Sequence, residues 1–452
     1  MDKTTKTHKR KRVNLLILTV FILLIMSVVS YYWYMYSIAN KFNNAVYPNV
    51  SIENIDMSGK TKEEVLEYFL QKYDKPLENG SINVKVKDKL HNLPYKELNI
   101  KYNIEEVVNE AFLYGKNLSV SERYKLIKKG ENTNYNLNLT YNDETIRSFL
   151  EGIDKTLPKE IMDSSIKKGN TGFQVTQEKI KEEIDKEQGY KEIVEKIEQR
   201  LYTIDLEMPV KYVEPRITAK QLKTIDSVIS SFKTKFIISE RATNIMLATK
   251  AASDVLLMPG DTYSFNELVG DTTPDKGYKE APIIKNKKLE PGYGGGVCQV
   301  STTLHNAVLR AGIVPIERMH HSMPVAYVPK GADATVFYKA VDYKFTNTLN
   351  YPIYIHGYIV NDEVIFDIYS NSSLKSKTYD IESEIYKEIP RKVKYIKDLS
   401  LDEGEQVIDS KGSDGFRVRV YRIAYENGKK INRGLLYDDY YKPVDKVVKE
   451  NL

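Results

Sequence analysis

The chain has 452 residues, 67 of them Lys or Arg and 62 Asp or Glu, a formal net charge of +5 and one cysteine. A single cysteine excludes an internal disulfide, so stability rests on ordinary cores. Lys3, Lys6, Lys9, Arg10, Lys11 and Arg12 against Asp2 supply the whole +5, so the remainder is formally neutral and lacks the basic footprint of a nucleic-acid partner.

From Val13 to Asn40 no residue is charged, and LLILTVFILLIMSVV at its centre is apolar enough to span a bilayer as one helix. This predicts a transmembrane anchor over 13–36 behind a cytosolic basic tail, 1–12, with the bulk of the chain extracellular. Tyr31, Tyr32, Trp33, Tyr34 and Tyr36 then fall at the outer interface, where amphipathic rings are favoured. A cleaved signal peptide is the competing reading. Against it, the run is long for such a segment, and bulky aromatics stand where small cleavage-site residues belong.

Next comes a strand-then-helix pattern. Val50, Ile52 and Ile55 read as a strand and Gly59 as a turn; Thr61 with Glu64 makes a capping box before Val65, Leu66, Phe69 and Leu70. The pattern returns with Tyr135, Leu137, Leu139 and Tyr141 alternating, then Asn142 or Asp143 capping a helix that carries Ile146, Phe149, Leu150 and Ile153. Weaker echoes run from Phe173 and Val175 into Ile180 and Ile184, and from Ile217 to Ile225. The expectation is two small α+β modules, 45–130 and 131–233, with no convergent catalytic residues.

The texture changes at Phe236. Arg241 to Leu257 reads as a helix stopped by Pro259 and Gly260. A loop of Gly292, Gly294, Gly295 and Gly296 follows, then Val300, Leu304, Ala307, Val308 and Ala311 at helical spacing, with Gly312 as a stop. Cys298 therefore falls at or just before the first turn of a helix. The unpaired amides and dipole there favour a thiolate, the attacking species, and the N–H groups of Gly296, Val297 and Cys298 are oriented to hold an oxyanion. Gly294, Gly295, Gly296 and Val297 are thus read as an oxyanion and substrate loop.

A nucleophilic cysteine needs a base. His305 lies seven residues along the same helix, roughly 10 Å away and out of direct reach. His320 and His321 sit in ERMHHSMPVAYV, expected to be a strand in which neighbours point to opposite faces, so at most one of them meets Cys298. Asp333, in KGADATVFY, is placed to orient that imidazole. A cysteine acting as buried filler belongs inside an apolar face, not behind three glycines. A zinc site from Cys298, His305, His320 and His321 lacks paired ligand spacing, and no Gly-Lys-Ser or Gly-Lys-Thr follows the glycines to bind phosphate. Neither a metal, a nucleotide nor another cofactor is expected.

Taken together, SFNELVG, DKGYKEA, GGGVCQVSTTLHNAVLRAG, ERMHHS, YVPKGADATV and DYKFTN give residues 236–371 a resemblance to the VanW family. Upstream, YPNVSIENIDMSGKTKEE resembles the peptidoglycan-binding modules that precede such domains, the second module less closely. Residues 379–445 resemble a G-five domain, a small all-β fold, on Gly404, Gly412, Gly415, Gly428 and Gly434. The alternation from Phe416 to Tyr425 and the Asn427-Gly428 turn independently read as a hairpin. The fold class expected is α+β and multidomain.

The resemblance implies a Gram-positive type of cell-wall protein, similar to peptidoglycan L,D-transpeptidases that make 3-3 crosslinks between stem peptides. Carried over, Cys298 is the nucleophile and His321, which precedes Ser322 in the family's HS motif, is the base. Arg318 and Ser301 are assigned to substrate binding. The partners implied are stem peptides and wall glycan. Two alternatives stay open: an L,D-carboxypeptidase or endopeptidase using the same cysteine, and a wall-binding protein without catalysis.

Overall fold

The computed structural model describes residues 4–285 and 288–452; Asp2 and Lys3 of the basic tail lie outside the described residues. The chain divides into two compact units, one running to Glu160 and including Ile180–Val213, the other comprising Ile161–Lys179 and Glu214–Leu452.

The first unit begins with helix α1, Thr4–Lys41, whose apolar stretch is exposed along its length and is long enough to cross a membrane. Its end is built into the folded unit. Ala39 is buried, and Tyr31 and Tyr34 pack edge-on against Tyr124 of α2, Val120–Lys129. Lys116 donates to the carbonyls of Phe42, Asn43 and Ala45, tying down the chain just past the helix end. Burial, with Arg123 nearby, pulls the Lys116 ammonium down to about 8.

The helix caps in this unit form as expected. Thr61 and Glu64 make a reciprocal capping box on Lys62–Phe69, and Asn142 caps Asp143–Lys155, which buries Ile146, Leu150 and Ile153. The division into modules does not follow 45–130 and 131–233. Val50–Ile52 pairs in parallel with Thr133–Tyr135, and Ser81–Val86 pairs in parallel with Thr203–Glu207, so both stretches share sheets and one core. The echo at Phe173 also resolves differently. Ile166–Gly169 and Gly172–Val175 form a hairpin of the second unit, with Phe173 against Tyr354 and Tyr369, whereas Lys181–Ile184 is a strand of the first.

The second unit is built on an antiparallel sheet of β1 (Ser227–Lys235), β2 (Val255–Leu257), β3 (Ile353–Val360) and β4 (Glu363–Ser370), in the order β1-β4-β3-β2. Helices α3 (Glu240–Ala251) and α4 (Val297–Arg310) pack on it. The helix expected to reach Leu257 stops earlier: Asp254 turns the chain at φ 60°, and β-branched Val255 starts a strand paired with Ile355. The second unit also carries the C-terminal strands β5 (Lys377–Ile389), β6 (Gly415–Glu426) and β7 (Lys429–Tyr441), in the order β5-β6-β7. Asn427 and Gly428 take φ of 50° and 78°, the left-handed pair that a tight hairpin turn requires. The whole is mixed helix and strand in several small sheets, ending in an all-β domain.

Candidate active site

Helix α4 starts at Gly296, whose φ of 116° lies outside the range of L residues. A Cβ there would come within 2.9 Å of Arg241 Cγ and Ile245 Cγ1, so the loop can lie against α3 only as glycine. The turn puts Cys298 second in the helix and partly exposed. Not all the loop amides remain for an oxyanion. The Val297 amide donates to Gly294 O at 3.0 Å and the Gly294 amide to Lys279 O at 3.4 Å. Among the described residues, the amides of Gly295, Gly296 and Cys298 have no such backbone acceptor.

Polar residues of α4 explain how a distant segment reaches the cysteine. Along one face, Cys298, Thr302 and Asn306 recur every fourth residue, with Ser301 beside them. The Ser301 hydroxyl donates to Ala334 O at 2.7 Å, Thr302 Oγ1 accepts from the Ala334 amide at 3.0 Å, and Asn306 donates to Ala332 O at 2.7 Å. Cys298 Sγ lies 3.4 Å from Val336 O. The segment 332–336 is thereby fixed along the helix, and Asp333 is carried with it. On the adjoining face Gln299 and Thr303 bind Lys235 O and Thr234 of β1.

His321 is 5 % exposed and does not lie in a strand. What holds it is Asp333: Oδ2 accepts from the His321 amide and lies 2.6 Å from Nδ1. With Nδ1 so engaged, the other ring nitrogen is left for the cysteine, with which His321 interacts electrostatically. Burial opposes charge on the imidazole, but the bonds and charges of Asp333 and Cys298 outweigh it and lift His321 to about 9. For Cys298 burial works to raise the thiol, and the hydrogen bond and charge of His321, with a contribution from Arg241, more than reverse it. Asp333 is likewise held well below the usual carboxylate range: burial pushes it up, and His321 and Arg318 push it down further. All three directions favour a thiolate–imidazolium pair at neutral pH.

The other candidates fall elsewhere. His305 is fully buried in α4 against Tyr343, and burial drives it well below 6.5, so it is neutral and remote from this chemistry. His320 turns its Nδ1 to His321 O and its ring to Tyr441. Arg318 and Ser301, expected to bind substrate, are both engaged inside the fold. Ser301 is buried and bound to Ala334, while Arg318, its side chain 3 % exposed, is clamped on Asp439 at 2.8 and 2.9 Å and donates to Asp333 O and Gly331 O. Arg241 was not foreseen. It bonds Gln299 at 3.1 Å and faces the Tyr327 ring, and as a cation at the start of α3 it biases Cys298 toward the thiolate.

The structure thus brings Cys298, His321 and buried Asp333 together at the head of α4. Residues 240–369 match the family described as VanW like protein, 381–450 the G5 domain, and 91–205 a domain described as "Putative peptidoglycan binding domain". The chain thus carries a VanW-like domain between that domain and the G5 domain. Two relatives are similar in sequence. The uncharacterized protein YoaR of Bacillus subtilis (strain 168) is 40 % identical over 190 residues, 41 % of this chain and 63 % of that protein. The vancomycin B-type resistance protein VanW of Enterococcus faecalis (strain ATCC 700802 / V583) is 30 % identical over 133 residues, 28 % of this chain and 48 % of that one. The chain thus spans less than two thirds of either relative. The solved G5 domain of IgA1 protease is 20 % identical, covering 17 % of this chain and 89 % of that one, with a TM-score of 0.14.

Proposed function

We propose that the protein is a membrane-anchored, extracellular peptidoglycan L,D-transpeptidase that forms 3-3 crosslinks through a thioester on Cys298. The observation that carries this reading is the Cys298–His321–Asp333 relay at the head of α4. The domains matched on either side of that relay support a wall substrate.

In this reading the Cys298 thiolate attacks the carbonyl carbon of the third stem residue, and the amides at the head of α4 hold the oxyanion. The tetrahedral adduct collapses as the bond to the terminal D-amino acid breaks, and His321 gives its proton to the departing amine. A side-chain amine of a neighbouring stem then attacks the thioester. Its surplus proton passes to His321, and the thiolate leaves. Asp333 keeps its charge throughout and fixes the tautomer. Neither nucleotide nor metal enters these steps. α1 serves as a single-pass anchor, its basic tail inside.

Water in place of the amine would make the same centre a carboxypeptidase or endopeptidase. The test is to incubate the full chain in detergent with disaccharide-tetrapeptide and to read the products by mass spectrometry. Dimer lacking one terminal D-amino acid, absent with Cys298→Ala, is the result expected. Trimmed tripeptide alone moves the assignment to hydrolysis, and unchanged substrate with no adduct on Cys298 leaves a wall-binding protein.

A further inference from the structure

Strand β7 presents Tyr437, Asp439 and Tyr441 at alternate positions and hence on one face. All three meet the segment that carries the relay. The Tyr441 hydroxyl donates to Asp333 Oδ1 and accepts from the Gly331 amide at 2.8 Å, while its ring lies 4.7 Å from that of His320. Asp439 takes both ends of its carboxylate to Arg318 Nη1, and Arg318 in turn holds Asp333 O and Gly331 O. The Arg318 guanidinium sits 4.5 Å over the Tyr437 ring. Gly331 comes so close to β6 that a Cβ would lie 2.4 Å from Val420 Cγ2. At the far end of α4, Arg422 donates to Gly312 O at 2.7 Å.

These contacts divide the two oxygens of Asp333 between two domains. Oδ2 faces His321 and Oδ1 faces Tyr441, with Arg318 Nη2 waiting 3.6 Å from Oδ1. Were Tyr441 absent, Arg318 and Asp333 would be free to close on each other and draw the carboxylate from the imidazole. Asp439 occupies the other arm of Arg318 and prevents the same movement. We propose that Tyr441 and Asp439 of the C-terminal domain are positioning residues for Asp333, so that this domain is a working part of the catalytic centre as well as its neighbour in sequence. This rests on the reading of Cys298, His321 and Asp333 as the reacting relay.

The test follows the rate of Cys298 alkylation by iodoacetamide against pH in the full chain, which has no other cysteine. The charged and titratable groups facing the relay are Arg241 and Tyr327 beside Cys298, and Arg318, Tyr441, Asp439 and His320 around Asp333 and His321. Wild type is expected to keep a fast rate below neutral pH and His321→Ala to lose it. Tyr441→Phe is expected to lower the rate at pH 6 by about tenfold and to converge with wild type at high pH, since one unit in the thiolate equilibrium is tenfold in thiolate. Asp439→Asn should move the same limb in the same direction and stands in if Tyr441→Phe fails to fold. Val448→Ala, in the other sheet of the same domain, should lower the melting temperature without moving the limb. A Tyr441→Phe profile that overlays a wild-type profile with its acid limb intact overturns the positioning role and leaves the relay standing. An equal shift with Val448→Ala overturns it too, by assigning the effect to general loosening. If wild type and His321→Ala coincide, the relay itself fails, and the proposal with it.

Discussion

Replacing Asp333 with Asn removes one charge and almost no volume, so it isolates what the carboxylate does for His321. The imidazole stands at about 9 against an ordinary value near 6.5, a difference worth about 3 kcal/mol in favour of the imidazolium. Burial acts in the opposite direction, and the hydrogen bond to Asp333 is the largest single cause of the rise. An asparagine there faces three donors, the His321 amide, the His321 ring and the Tyr441 hydroxyl, and only its oxygen can accept from them. The imidazolium thus loses its counter-charge, and the thiolate loses the imidazolium. With the counter-charge gone, the reactive fraction of Cys298 at pH 6 to 7 should fall by about 100-fold, two tenfold steps in the thiolate equilibrium. Stopped-flow alkylation between pH 5 and 10 measures this directly, and the variant should approach wild type near pH 10. Turnover of disaccharide-tetrapeptide should drop further, by about 10³ to 10⁴, because the wrong tautomer also fails to protonate the leaving amine. An unchanged acid limb, with the fold intact by circular dichroism, would refute the argument that Asp333 sets the charge of this pair.

Gly296→Ala should destabilise the protein by about 1 to 3 kcal/mol, because φ of 116° and the 2.9 Å approach to α3 both exclude a side chain; an unaltered melting temperature would contradict this. His305 is neutral when folded and takes a proton when unfolded, so its share of stability is full above pH 6.5 and declines below it by about 1.4 kcal/mol per pH unit. Urea titrations of His305→Leu should therefore show a shallower loss between pH 6.5 and 5 than wild type, and parallel curves would remove His305 as the cause. If α1 is an uncleaved anchor, membranes should hold a chain whose intact mass includes the basic tail, and protease added outside cells should remove the bulk; a mature N-terminus near Lys41 would sink that reading.

What the sequence made legible was local. Thr61 with Glu64, Asn142 before its helix, the Asn427-Gly428 turn and the cysteine behind glycines are each signals confined to a few residues, and each forms where its pattern stands. The misread parts depend on partners remote in the chain. Parallel pairing of Val50–Ile52 with Thr133–Tyr135 leaves no period in either stretch to announce the other, so one interleaved unit looks like two. Ser301 and Arg318 are polar residues near a nucleophile, which reads as substrate binding until their acceptors, Ala334 O and Asp439, are known. ERMHHSMPVAYV alternates like a strand, yet Asp333 takes the His321 amide that a sheet partner would use. Tyr437, Asp439 and Tyr441 did carry a signal, since a strand face with a carboxylate between two tyrosines is unsuited to an ordinary apolar core.

The end of α1 changes what attachment means mechanically. Ala39 lies in the core of the first unit, Arg123 donates to its carbonyl, and Tyr124 meets Tyr31 and Tyr34. No slack segment intervenes between the apolar helix and the folded unit, so with α1 in a bilayer the first unit behaves as a bracket bolted to the surface, not as a float on a line. Its tilt follows the tilt of the helix, and its distance from the lipid headgroups is fixed by side-chain contacts. A strand of wall held by this unit would therefore be held at a set height.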